Sequence, residues 1–204
     1  MIGIVDYGLG NIQAFVNIYK KSNLPVQVVS TPEGMHKSDR LILPGVGSFD
    51  WAISRLNASG LRETLDELVI RERRPILGIC VGMQMMADAS DEGDAEGLGW
   101  ISGHVTKFAH EKFEQATHLP HMGWNDAAPQ AGEPLFVELE SGARFYFLHS
   151  YYFVPSDGSH SIAVTDYGGR FASSVRNENV YGVQFHPEKS HQWGIQLLQN
   201  FAKA

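Results

Sequence analysis

The sequence predicts a single α/β domain over residues 1–204, with a central mixed, largely parallel sheet flanked by helices and a strand-rich C-terminal half. Two observations carry that reading. In the first ninety residues, short apolar and β-branched runs alternate with stretches of helical periodicity, the pattern of crossovers between parallel strands. After Ser90 the runs come closer together and are punctuated by glycine turns, which reads as a more antiparallel arrangement. The chain has 204 residues, 43% of them hydrophobic, enough for one sizeable core, and no repeat or low-complexity tract divides it.

"IGIVD" (2–6) is the first strand, ending at the turn-prone "YGLGN". A helix over 12–21 follows, with Ile12, Phe15, Val16 and Tyr19 on one face. "VQVVS" (26–30) and "RLILP" (40–44) are the second and third strands, the latter cut off by Pro44-Gly45. "FDWAISRLNASG" reads as a helix stopped by Gly60. "LRETLDELVIRERR" carries Leu61, Leu65, Leu68 and Val69 at helical spacing and is closed by Pro75. "ILGI" (76–79) is a fourth buried strand, and "GMQMMADAS" (82–90) has helical composition. Beyond it, "WISGHVTKF", "ARFYFLHSYYFV", "SIAVTDYGGRFASSV" and "VYGVQF" read as strands, and "HQWGIQLLQNFAKA" as a final amphipathic helix.

Bulk properties exclude several classes. A net charge of −7 leaves no electrostatic footprint for nucleic acid, and no lysine-arginine block suits an anionic membrane. No apolar run reaches the roughly 18–20 residues of a membrane-spanning helix. The N-terminus lacks the basic region of a signal peptide, and one cysteine permits no internal disulfide, so a cytoplasmic location is expected.

In open α/β sheets ligands bind beyond the carboxyl ends of the strands. Four segments interrupt strands at such ends: "DYGLGN", "PGVGSF", "GICVGMQ" and "HPEKS". Cys80 sits in Gly-x-Cys-x-Gly between a strand and a helix, the form of a nucleophile elbow with cysteine for serine. The helix start there would lower the thiol pKa. That segment alone leaves open a buried, inert thiol. A thiol nucleophile needs a base and an orienting group. In "GVQFHPEKS", Pro187 biases His186 toward extended backbone, so His186 and Glu188 are expected to project together. Backbone N–H groups near Val46 and Gly47, with that of Val81, are the candidate oxyanion donors, although an ordinary turn reads the same way in isolation. "GLGNIQ" fails the dinucleotide fingerprint, because Gln13 stands where the third glycine belongs. The histidines form no metal-binding helix motif, so no metal or cofactor is expected.

With these residues together, the chain resembles the class I (triad) glutamine amidotransferases. Within that family it is most similar to the glutaminase subunits of imidazole glycerol phosphate synthases. The matching segments are "DYGLGN" (6–11), "LPGVGSF" (43–49), "LGICVGMQ" (77–84), "HMGWN" (121–125), "HSYY" (149–152) and "GVQFHPEKS" (182–190), in family order from end to end.

The resemblance implies that Cys80 attacks the side-chain amide of glutamine while His186, held by Glu188, handles the protons. It implies that Gly47, Gln84, Ser150 and Tyr151 hold glutamine. It also implies that the 44–47 segment forms an oxyanion hole often ill-formed until the partner binds its own ligand. The implied partner is a (β/α)8-barrel synthase (cyclase) subunit in a heterodimer, which takes ammonia through its core to make imidazole glycerol phosphate and AICAR in histidine biosynthesis. Asn11, Trp124, Tyr146 and Lys189 match interface positions. Ala14, where many histidine-pathway members carry Ser, and the segments "GSFDWAISRLNASG" and "DEGDAEGLGWISG" keep a second acceptor open: amidino-sugar synthesis for surface polysaccharide. A stand-alone γ-glutamyl thiol hydrolase and a non-catalytic homologue are the remaining alternatives.

Overall fold

The apolar runs at 2–5, 41–45 and 76–80 become strands buried on both faces, as inner parallel strands between helices must be, whereas the 26–29 run at the sheet edge is only partly buried. The computed structural model describes residues 1–109 and 118–204. Its first half contains β1 (Ile2–Val5), α1 (Ile12–Lys21), β2 (Val26–Val29), α2 (Pro32–His36), β3 (Arg40–Gly45), α3 (Phe49–Ala58), α4 (Arg62–Asp66), β4 (Ile76–Cys80) and α5 (Val81–Gln84). The second half contains β5 (Ala89–Ser90), β6 (Gly103–Lys107), β7 (His121–Asp126), β8 (Ala128–Pro129), β9 (Arg144–His149), β10 (Tyr151–Pro155), β11 (Ser161–Asp166), β12 (Arg170–Asn177), β13 (Val180–Val183) and α6 (His191–Phe201).

The main sheet has the order β2-β1-β3-β4-β13-β12-β11-β8. From β2 to β13 every pairing is parallel; from β13 outward every pairing is antiparallel. Two smaller sheets, β10-β6-β5 and β7-β9, stand beside it. The expected mixed, largely parallel sheet is therefore present. Helix α1 buries Phe15, Val16 and Tyr19 and packs against α6, while α2 packs against α4.

Several elements depart from the sequence reading. Strand β3 runs on through Pro44 and Gly45, paired with Ile79 and Cys80. The proline is tolerated because β1 pairs β3 only as far as Ile42, so the missing N–H interrupts no ladder. There the Tyr7 hydroxyl donates to the Pro44 carbonyl at 2.7 Å. The 61–74 helix divides into α4 and a π-helical turn over Glu67–Arg71, closed by the Glu72 N–H on the Glu67 carbonyl at 3.1 Å.

The helical reading of 82–90 stops early, at Gln84. The carbonyls of Met85, Met86 and Ala87 are taken instead by N–H groups of Leu98, Trp100 and Gly99. Residues 143–154 split at Ser150 into β9 and β10, which belong to different sheets. Strand β13, within the half read as antiparallel, runs parallel to β4 in the register Gly182↔Gly78. That pairing brings the ends of β3, β4 and β13 side by side.

Candidate active site

The ends of β3, β4 and β13 deliver Val46–Gly47, Cys80 and His186 to one edge of the sheet. Cys80 closes β4 and caps α5 with φ 56° and ψ −114°. Such a conformation costs a non-glycine residue about 1–3 kcal/mol and persists only where the surroundings over-determine it. They do so through close packing. A β carbon at Gly82 would lie 2.0 Å from the Leu43 carbonyl oxygen, and one at Gly45 would lie 2.2 Å from the Gly82 nitrogen. One at Gly78 would lie 2.6 Å from the Gly82 oxygen. The glycines around the cysteine thus let α5 lie directly on β3 and β4, leaving the elbow no alternative path.

The His-Pro-Glu segment is held as firmly. His186 has extended backbone, but Pro187–Lys189 is a 3-10 turn. The pair therefore does not project as alternate residues of an extended strand, as the sequence suggested; the tight turn brings the Glu188 carboxylate back to the ring instead. Glu188 Oε1 lies 2.9 Å from His186 Nδ1, with both side chains almost fully buried. The His186 N–H donates to the Tyr146 carbonyl at 2.8 Å, and Ser190 Oγ donates to the His186 carbonyl at 2.6 Å. From below, α6 comes so close that a β carbon at Gly194 would lie 1.8 Å from the Pro187 oxygen.

Burial is the largest influence on His186 and disfavours its charge. Hydrogen bonds to Cys80 and Glu188, with their negative charge, outweigh it and push the imidazole up to about 10. The ring thus holds a proton between sulfur and carboxylate at neutral pH.

Cys80, Val46, Gly47, Val81 and His186 line one cavity of about 350 Å³, the size of a small ligand site. Gln84, Ser150, Tyr151 and Lys189 line it too. All four expected glutamine-holding residues are therefore at the cavity that contains the thiol. Gln84 Nε2 donates to the Tyr151 carbonyl and to Gln184 Oε1, each at 3.0 Å, so its own Oε1 is the atom left to receive a ligand.

Among the expected interface residues, Trp124 and Tyr146 face each other across β7 and β9, with ring centroids 6.2 Å apart. Lys189 Nζ lies 5.8 Å from the Tyr146 ring. Asn11 begins α1, exposed, and its side chain caps nothing.

Four cavity residues escaped the sequence reading: Glu92, Pro120, Leu148 and His149. Glu92 accepts the Phe49 N–H at 2.8 Å, tying its loop to the start of α3. Gln184 also escaped it. Fully buried, it donates Nε2–H toward Cys80 Sγ at 3.8 Å. The available signal was an amide inside the apolar run "VYGVQF", since a buried amide requires partners.

The sequence matches the family described as glutamine amidotransferase class-I over residues 3–204. It is 53% identical to the imidazole glycerol phosphate synthase subunit HisH of Bdellovibrio bacteriovorus, covering 100% of both chains. It is 47% identical to the protein of the same name from Leptospira borgpetersenii, covering 99% of each. A solved glutamine amidotransferase superposes with a TM-score of 0.76 at 17% identity, covering 99% of this chain and 97% of that one. PurLQS from Thermotoga maritima gives 0.73 at 17% identity with the same coverage, a likeness of fold. The chain belongs to the class-I glutamine amidotransferase family.

Proposed function

We propose that this chain is the glutaminase subunit of an imidazole glycerol phosphate synthase, converting glutamine and water to glutamate and ammonia for histidine biosynthesis. The convergence of Cys80 and His186 on one cavity, with Glu188 bonded to the imidazole from behind it, carries this reading, and the names of the full-length relatives support it.

Cys80 sulfur attacks the carboxamide carbon of glutamine, and the developing oxyanion faces the backbone of Val46, Gly47 and Val81. The protonated His186, aimed by Glu188, gives its proton to the departing nitrogen as the carbon–nitrogen bond breaks. Water then attacks the γ-glutamyl thioester with His186 as base, releasing glutamate and restoring the Cys80 sulfur beside a protonated His186. Gln84, Ser150 and Tyr151 hold the substrate. The Glu92 carboxylate, in the same cavity, suits the α-ammonium group of an amino acid.

Ammonia passes to a synthase partner, a (β/α)8 barrel that forms a heterodimer with this chain in the cytoplasm. The docking face is the outer side of β7–β9. There Met122 is paired with Leu148 and Trp124 with Tyr146, and Met122, Trp124 and Leu148 are exposed. Leu148 also lines the cavity, so a partner seated on this face meets the mouth of the site. Lys189 and Asn11 complete the contact.

The test is glutamate release by the chain alone and with its cognate synthase subunit carrying a nucleotide ligand. Weak activity alone, strong stimulation by the loaded partner, and complete loss in Cys80→Ala are expected. Full turnover by the isolated chain would favour a stand-alone hydrolase.

A further inference from the structure

We propose that Gln184 is an additional catalytic residue whose amide N–H fixes the Cys80 sulfur, oriented through Gln84 by the Tyr151 carbonyl, an acceptor shared with the buried pair His149 and His121. The inference rests on the glutaminase reading above and adds to it how the sulfur is held between turnovers.

The direction of these hydrogen bonds follows from one atom. The Tyr151 carbonyl oxygen can only accept, and it meets both Gln84 Nε2 at 3.0 Å and His149 Nδ1 at 2.8 Å. On one arm, Gln84 must therefore present its NH2, whose second hydrogen goes to Gln184 Oε1 at 3.0 Å. With its oxygen so used, Gln184 can turn only its NH2 to Cys80 Sγ, 3.8 Å away.

On the other arm, His149 must carry its proton on Nδ1, leaving Nε2 to accept from His121 Nδ1 at 3.0 Å. His121 Nε2 then accepts from Asn125 Nδ2 at 3.3 Å, and that amide also donates to the Asp166 carbonyl at 2.9 Å. Protonating either histidine would set two N–H groups against each other.

The surroundings oppose such protonation. His121 stacks on Tyr167 at 3.8 Å and on Phe147 at 4.6 Å, and His149 lies among Phe108, Phe147 and Phe171. Beyond its partner His121, His149 feels the charge of His186, of the repelling sign. Burial pushes His149 down to about 3 and His121 to about 4. The consequence is a sulfur that receives a second N–H besides that of His186, from a residue outside the cavity lining. Its contribution should fall on reactivity and not on substrate affinity.

The full chain labelled with 15N-histidine should show His149 and His121 neutral from pH 8 to 5, each protonated on Nδ1, the minor tautomer of a free imidazole side chain. Gln184→Met, of similar length but without a donor, should alkylate at Cys80 with iodoacetamide about tenfold more slowly at neutral pH, as expected for a lost charge-assisted bond. In the synthase complex it should lower kcat with KM for glutamine unchanged. His149 protonated on Nε2, or a Gln184→Met variant alkylating at the wild-type rate at every pH, overturns the inference. An unmodified Cys80 no more reactive than a free thiol would overturn the glutaminase reading itself, whereas the tautomer measurement needs neither glutamine nor turnover.

Discussion

Two turns leave neighbouring strands at the same sheet edge and are built on opposite plans. The turn after β4 presses glycine against backbone, with no space for a β carbon between Gly82 and the Leu43 carbonyl. The turn after β3 stands open: Val46 is 41% exposed, and a β carbon at Gly47 would meet only the Trp51 ring, at 3.5 Å. Trp51 is itself exposed. The candidate nucleophile is thus immobilised by its own fold, together with the Val81 N–H, while the candidate oxyanion donors at Val46 and Gly47 ride on a segment that little constrains. A site divided in this way keeps its thiol ready and leaves the last alignment to whatever covers the open turn.

The sharpest way to break this contrast is Gly82→Ala. Its methyl group has nowhere to go except into the β3 backbone, so about 3 kcal/mol or more of stability should be lost in urea unfolding. A loss under 1 kcal/mol would mean that the elbow is not close-packed.

Glu188→Gln sharpens it next, because the turn carrying the candidate base, His186, is held as tightly as the elbow. His186 has its folded pKa raised above the unfolded value of about 6.5. Its stabilisation is therefore complete below about pH 6.5 and fades as pH rises through about 10. The variant should lose about 2 kcal/mol at pH 6 and progressively less toward pH 10. A deficit independent of pH would show that Glu188 does not hold the imidazolium.

The smallest stability effect is expected for Gly47→Ala. The turn has room, so only the positive φ of 89° is penalised, at about 1 kcal/mol. Glutamine turnover should nevertheless fall by a larger factor than that loss of stability implies, measured in the presence of the synthase partner. Equal stability costs at Gly47 and Gly82 would erase the distinction between the two turns.

The close-packed turn was also the legible one. Gly78, Cys80 and Gly82 declare a strand-to-helix elbow within five residues, and His186, Pro187 and Glu188 are consecutive. What stayed hidden is what long-range pairing assembles. Nothing in "VYGVQF" states that β13 will run parallel to β4, about a hundred residues earlier, yet that pairing puts Gln184 beside Cys80. The methionine-rich 82–90 stretch reads as helix because its composition cannot reveal that residues 98–100 will claim its carbonyls. His149 and Glu92 reach the cavity through β9 and through a loop tied to α3, partners without local trace in the sequence.

The immobilised thiol is the chain's one cysteine, and that has a cost under oxidative stress. A sulfenic acid formed at Cys80 would find no second thiol in the chain with which to condense. Repair would have to come from a small-molecule thiol able to enter the cavity, and a substrate seated there would delay it. Glutamine supply would then govern both the rate of the reaction and how long peroxide damage at Cys80 persists.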